Sequence, residues 1–191
     1  VEHESDLSGQ THDKGIMIIS GYLGRMFAQN YPLSVSISIT FEQSYSGIDG
    51  DSASSTEVYA VLSSLSGIPI HQGIAVTGSV NQKGEIQAIG GVNEKIEGFY
   101  DVCVKKGITR EQGVMIPAAN VKNLMLRQDV VQAVSEGAFH IYAVASIEQG
   151  IEVLTDMPAG KIDPQLNYPE NTVFGLVQKK LAKYCLLYTS D

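Results

Sequence analysis

A two-layer α/β (α+β) domain is the fold this sequence predicts, on three observations. Residues 33–41 alternate, with Leu33, Val35, Ile37, Ile39 and Phe41 apolar and Ser34, Ser36, Ser38 and Thr40 polar. That period of two marks a half-buried strand. Residues 53–66 change period: Val58, Val61, Leu62 and Leu65 fall on one face of a helix. Beyond them, strand-like and helix-like segments mix without a strict strand–helix–strand rhythm.

In chain order, residues 1–14 are polar and read as an extended lead-in. His12 and Asp13 are sequence neighbours, and neighbours seldom point at one another, so a solvated pair outweighs a base with its orienter. Ile16, Ile19, Leu23, Met26 and Phe27 form a helical stripe from Gly15 to Asn30, ended by Pro32. The strand 33–41, a loop 42–51 and the helix 53–66 follow, and Gly67 and Pro69 stop that helix. Gly73–Val80 and Glu85–Ile89 predict two strands joined by Asn81-Gln82-Lys83-Gly84, a hairpin signal. Gly90-Gly91 reads as a plain strand-to-helix turn, and a helix runs from Val92 to Lys106, stopped by Gly107. Gly113–Pro117 predicts a short buried strand, 121–126 and 130–136 helical pieces, and Phe139–Val144 another strand. Ser146 caps a helix with Ile147, Ile151 and Leu154 on one face. A main domain over residues 1–156 closes there. Pro158, Gly160, Pro164 and Pro169 mark a linker, and Asn171–Tyr184 reads as an amphipathic helix, so 157–191 is expected to be a C-terminal linker and helix.

Composition narrows the function. The formal net charge of −8 argues against a nucleic-acid surface as the main role. Cys103 and Cys185 lie far apart without metal-ligand spacing, which fits a reducing compartment and a cytoplasmic location. No apolar run approaches membrane-spanning length. Neither a Walker A motif nor a glycine-rich dinucleotide fingerprint occurs, so no bound cofactor is expected in this chain. The start at Val1 rather than Met leads us to expect a trimmed or excised domain.

The chemistry concentrates at Gly47-Ile48-Asp49-Gly50-Asp51-Ser52-Ala53-Ser54-Ser55-Thr56-Glu57. Ser52 is delivered where a loop enters a helix. Backbone N–H groups there lack intrahelical partners and the helix dipole is positive. Such a corner can hold a serine hydroxyl and stabilise an oxyanion beside it. The same residues also read as ordinary turn and capping residues, with Ser54 and Glu57 matching a capping box. Ser54 in place of a second glycine departs from the α/β-hydrolase elbow. A serine nucleophile needs a base. His3 and His12 lie in the lead-in, His71 follows Pro69 at a strand edge, and His140 lies within a strand; none is well suited. The other option is a lysine held neutral by burial, since fully buried groups shift by roughly 3–5 pKa units. Lys95 is the candidate, on the flank of the stripe Val92, Ile96, Phe99 and Cys103. Its alternative is a snorkelling lysine whose stem covers the core edge.

Four stretches taken together resemble the proteolytic domain of Lon proteases: Asp49-Gly50-Asp51-Ser52-Ala53-Ser54, Val76-Thr77-Gly78-Ser79, Gly84-Glu85 and Ile89-Gly90-Gly91-Val92-Asn93-Glu94-Lys95-Ile96-Glu97. His12-Asp13-Lys14-Gly15, Ser20-Gly21-Tyr22-Leu23 and the Asp-Ser-Ala-Ser form of the serine motif resemble the B-type branch; the A-type form is Pro-Ser-Ala-Gly. The resemblance runs from about Thr11 to Leu154, and its order and spacing make it specific.

The resemblance implies a fold similar to the ribosomal protein S5 domain 2-like fold and a serine endopeptidase acting on unfolded or damaged proteins. It implies Ser52 as nucleophile and Lys95 as general base, a Ser-Lys dyad. Thr77 matches the threonine that hydrogen-bonds the lysine, although a strand threonine before a turn would look the same. Asp49 and Asp51 match acidic positions beside the serine; relatives often have Glu at the first of them. A carboxylate against Lys95 would oppose its role as a base, so these aspartates are expected to hold the isolated domain in a weakly active state. The N–H groups around Gly50 to Ser52 would form the oxyanion hole. ATP and Mg are expected only for an ATPase part missing from this chain. A homo-hexamer and a place in ATP-dependent protein quality control follow from the same resemblance. Two other classes stay open: a non-catalytic or autoinhibited assembly module on the same fold, and a small-molecule or phosphate-binding α/β domain. Net acidity and the missing phosphate loops weigh against the second.

Overall fold

The computed structural model describes residues 10–40 and 49–188. In chain order these form α1 (Gln10–Phe27), α2 (Ser54–Ser66), β1 (Ile74–Val76), β2 (Ser79–Val80), β3 (Ile86–Gln87), α3 (Val92–Lys106) and β4 (Gly113–Pro117). A 3₁₀ helix (Ala118–Asn123), α4 (Gln128–Ser135), β5 (His140–Val144), α5 (Ile147–Thr155) and α6 (Val173–Tyr188) complete them. The mixed α/β class read from the sequence holds. β1, β4 and β5 form a parallel sheet in the order β1-β4-β5, and β2 and β3 form a separate antiparallel hairpin.

The central strand explains the layering. All five residues of β4 are buried, as a parallel strand covered on both faces must be. Successive side chains alternate across a sheet. Met115 joins a core built from α1, α2, α5 and α6, while Val114 and Ile116 join a second core with Val92, Ile96, Tyr100 and Cys103 of α3 and Val130 and Ala133 of α4. Gly113 opens the strand because a Cβ there would stand 2.5 Å from the His140 carbonyl oxygen of β5.

Several sequence expectations shift. The first helix starts at Gln10, so residues 10–14 are helical rather than an extended lead-in; residues 1–9 lie outside the described residues. Asp13 in its first turn suits the positive end of the helix dipole. Residues 33–40 alternate but form no strand, and residue 41 lies outside the described residues. Leu33 and Val35 pack half-buried on the main core, whereas Ile37 and Ile39 stay exposed. Alternation prepares a face, but a strand also requires a ladder partner, and none pairs with 33–40 among the described residues. The strand predicted over 73–80 breaks at Thr77-Gly78, where the backbone turns to bond the Ser52 corner. The helical piece expected over 121–126 is instead the 3₁₀ helix, followed by extended chain.

Helix α6 follows an irregular stretch and packs along α2. Its Val173, Phe174 and Val177 are fully buried in the main core, and Phe174 meets Phe27 and Tyr168 edge to face at 5.6 and 5.4 Å. No helix among the described residues is long and apolar enough to cross a membrane.

Candidate active site

The corner before α2 is held by the backbone of the broken strand. Gly50 adopts φ +95°, a conformation that favours glycine and turns the chain toward α2. The Ser52 carbonyl accepts from Gly78 N at 2.8 Å and from Thr77 Oγ1 at 3.3 Å. Ser55 N returns a bond to the Gly78 carbonyl at 3.2 Å. A Cβ on Gly78 would lie 3.0 Å from Ile86 Cγ2 and 3.3 Å from Ser55 Oγ, so the close approach depends on glycine. The capping box expected of Ser54 and Glu57 does not form. Ala53 is the N-cap of α2, without a side-chain cap bond, and Ser54 Oγ accepts from Val80 N at 3.1 Å. Ser54 is buried, and leaving the Val80 N–H unpaired there would cost about 1–3 kcal/mol.

Lys95 arrives from the other side. Gly91, in the left-handed conformation, begins α3, and the buried stripe Val92, Ile96, Tyr100 and Cys103 seats that helix on the β4 face. Lys95 therefore stands at the rim and reaches over the sheet. Its Nζ donates to Ser52 Oγ at 3.1 Å and lies 3.5 Å from Thr77 Oγ1. Ser52, Ala53, Ala75, Val76, Thr77, Lys95 and Val114 line one pocket of about 310 Å³. Its floor is apolar because Ala75 and Val114 are direct partners across β1 and β4. Thr77 is buried, whereas Lys95 is exposed, so the described residues alone do not supply the burial expected of a lysine base.

The acidic neighbours are placed differently from expectation. Asp51 is exposed, and Lys95 pairs with no carboxylate among the described residues. Asp49 Oδ1 accepts from Gly50 N at 2.8 Å, so the Gly50 N–H is occupied rather than open to an oxyanion. Among the described residues the N–H groups of Asp51 and Ser52 have no acceptor. His71 and His140 lie away from the pocket: His71 Nε2 is 2.6 Å from Asp156 Oδ2, and His140 Nε2 is 2.8 Å from the Arg110 carbonyl. No group of three or more His, Cys, Asp or Glu suited to a metal occurs among the described residues.

Sequence reasoning passed over the loop that flanks α3. Asn93 accepts from Met125 N at 2.9 Å and donates to the Asn123 carbonyl at 3.2 Å; Glu97 Oε1 accepts from Arg127 N at 2.8 Å. Arg127 forks onto Asp101 at 2.6 and 3.1 Å. The signal was available as Asn93, Glu97 and Asp101, polar residues spaced by four on one helix face. Hydrogen bonds from the Arg127 guanidinium hold the Asp101 carboxyl below its ordinary value. A depressed folded-state carboxyl contributes stability that is present above the unfolded value and lost as pH falls through the folded one. Arg127→Met should therefore move the Asp101 titration up toward the ordinary carboxylate range, read by side-chain carboxyl NMR. An Asp101 titration that stays in place would show that Arg127 is not its cause.

The sequence profile of the Lon protease (S16) C-terminal proteolytic domain matches residues 27–156. The chain belongs to this Lon protease family. A Lon protease homolog of Escherichia coli (strain K12) is 45% identical over 157 residues, 82% of this chain and 27% of that protein. A Lon protease homolog of Haemophilus influenzae is 40% identical over 183 residues, 95% of this chain and 30% of that protein. The archaeal Lon protease of Thermococcus kodakarensis is 40% identical over 123 residues, 64% of this chain and 18% of that protein. The chain thus spans less than a third of each of these Lon relatives. The Lon match covers the Ser52 corner, β1 to β5 and α3, and so the whole pocket.

Proposed function

We propose that this Lon-family domain is a serine-type endopeptidase with Ser52 as nucleophile and Lys95 as general base. The observation that carries the reading is the 3.1 Å contact between Lys95 Nζ and Ser52 Oγ in a pocket open to a peptide. A neutral Lys95 amine takes the Ser52 hydroxyl proton as Oγ attacks the peptide carbonyl carbon. The N–H groups of Asp51 and Ser52, rather than that of Gly50, receive the developing oxyanion. The Lys95 ammonium then returns the proton to the leaving amine, and the C–N bond breaks. Water attacks the acyl-serine ester, Lys95 takes its proton, and Ser52 regains a hydrogen as the carboxyl product leaves. Thr77 Oγ1 steadies the lysine head.

Only the neutral amine accepts a proton, and an exposed ammonium does not. A polypeptide lying across the pocket would exclude water from the Lys95 amine. The exposure of Lys95 in the single chain supports a second reading, a resting site that awaits such a cover. The natural substrate is then an unfolded polypeptide, delivered by an ATP- and Mg-dependent part outside this chain within a cytoplasmic homo-oligomer, a hexamer, serving protein quality control. Residues 1–156 would form the peptidase unit, with 157–191 its C-terminal linker and helix.

A fluorophosphonate probe tests the reading directly. We expect one covalent adduct, located by peptide mass spectrometry on Ser52 and absent from Ser52→Ala. An adduct on any other serine would assign the nucleophile elsewhere.

A further inference from the structure

The two halves of the pocket come from distant parts of the chain, and both are referred to β4. On the serine side, Ser52 bonds Gly78 and Thr77, and Thr77 N donates to the Met115 carbonyl of β4 at 3.0 Å. On the lysine side, α3 follows Gly90 and Gly91. A Cβ on Gly90 would meet nothing within 4 Å, and Ile89 before it packs half-buried on the second core. The apolar stripe of α3 seats the helix on the sheet, and that attraction is itself non-directional. A directional tie is needed just before the helix.

Asn120 supplies it. Its Oδ1 accepts from Ile89 N and its Nδ2 donates to the Ile89 carbonyl, both at 3.0 Å. One side chain thus satisfies both backbone polar groups of Ile89, as a neighbouring strand would. Asn120 is buried, at 5% exposure, and lies three residues beyond Pro117, the end of β4. Asparagine carries its acceptor and its donor on separate atoms of one short, uncharged side chain, as bonding both groups of Ile89 requires. The row Asn93, Glu97 and Asp101 then ties the flank of α3 to the same 120–127 loop. Lys95 lies about 200° round the helix from Asn93, on the opposite flank, since residues advance by about 100° each.

We propose that Asn120 is a positioning residue for Lys95: by docking Ile89 to the end of β4, it sets the separation of Lys95 Nζ from Ser52 Oγ. The inference rests on the dyad reading above. Misplacement by about 1 Å can cost on the order of 100-fold in rate, and it would carry the 3.1 Å contact beyond hydrogen-bonding distance.

The test uses the full chain with 13C at lysine Cε, the Lys95 resonance being assigned by its loss in Lys95→Arg. Ser52→Ala is expected to move that resonance. Asn120→Ala is expected to move it too, while leaving those of Lys179, Lys180 and Lys183 on α6 in place. Asn120→Asp keeps the acceptor but loses the donor to Ile89; it should act in the same sense and decides the matter if Asn120→Ala does not fold. In peptide hydrolysis the Asn120 variants should lower kcat by roughly 10–100-fold with KM little changed. A Lys95 resonance that answers to Ser52→Ala but not to either Asn120 variant overturns the positioning role and leaves the dyad standing. A Lys95 resonance indifferent to Ser52→Ala removes the dyad contact, and the positioning role falls with it.

Discussion

Ser52→Ala and Lys95→Ala should each lower hydrolysis of a fluorogenic peptide by at least about 10³-fold, with circular dichroism and melting temperature close to the parent. The two losses should be of similar size, because a nucleophile and its base act as a unit and the second removal adds little. Ser52 is half-buried and Lys95 is exposed, so neither truncation opens a core cavity. Lys95→Arg should be as inactive as Lys95→Ala, since a guanidinium stays protonated and cannot accept the Ser52 proton. Activity retained in Lys95→Arg would rule out the lysine as base. The exposed Asp51 lies outside any ion pair with Lys95, so Asp51→Asn should change this rate far less than either dyad substitution.

Phe174→Ala should be the most destabilising single truncation in the C-terminal segment, at about 3–5 kcal/mol. Phe174 is fully buried between Phe27 at the end of α1 and Tyr168 in the irregular stretch, with its N–H bonded to the Ala159 carbonyl at 2.9 Å. One ring therefore joins three parts of the chain, and its loss leaves a cavity where they meet. For a domain of this size the cost corresponds to roughly 6–20 °C in melting temperature. A calorimetric scan checks this and also addresses the boundary near residue 156. A single transition moved down as a whole means that α6 and the rest of the domain melt together. A main transition left in place, with a small early one appearing, would make 157–191 a separate appendage.

Much of the chain was legible from local signals. The Asn81-Gln82-Lys83-Gly84 hairpin, the helix from Val92 to Lys106 and the Ser146 cap rest on interactions within a few residues, and the run Gly113–Pro117 shows its burial by its unbroken apolar composition. Ser52 and Lys95 were legible as residue types in suggestive settings, a helix entrance and the flank of an apolar stripe. Local patterns failed where the deciding partner is distant in sequence. The alternation over 33–41 prepares a strand, but pairing depends on an edge elsewhere. Ser54 looked like a cap because its position before Glu57 is local information; its hydroxyl is taken by Val80, 26 residues away. The break at Thr77-Gly78 follows from bonds to Ser52 and Ser55, which no window around the strand contains.

The sequence by itself determined the mixed α/β class, the periodic helices and, through joint motifs, the Lon family, because propensity, period and motif order are written along the chain. The resemblance implied the Ser52–Lys95 pair, and the tertiary structure supplied its 3.1 Å contact; the tertiary structure alone decided that Asp51 does not meet Lys95 and that Asn120 bridges the end of β4 to the turn before α3. Those outcomes depend on which faces of β4 are covered and on which buried backbone groups remain to be satisfied. Both are set only when the whole chain has packed.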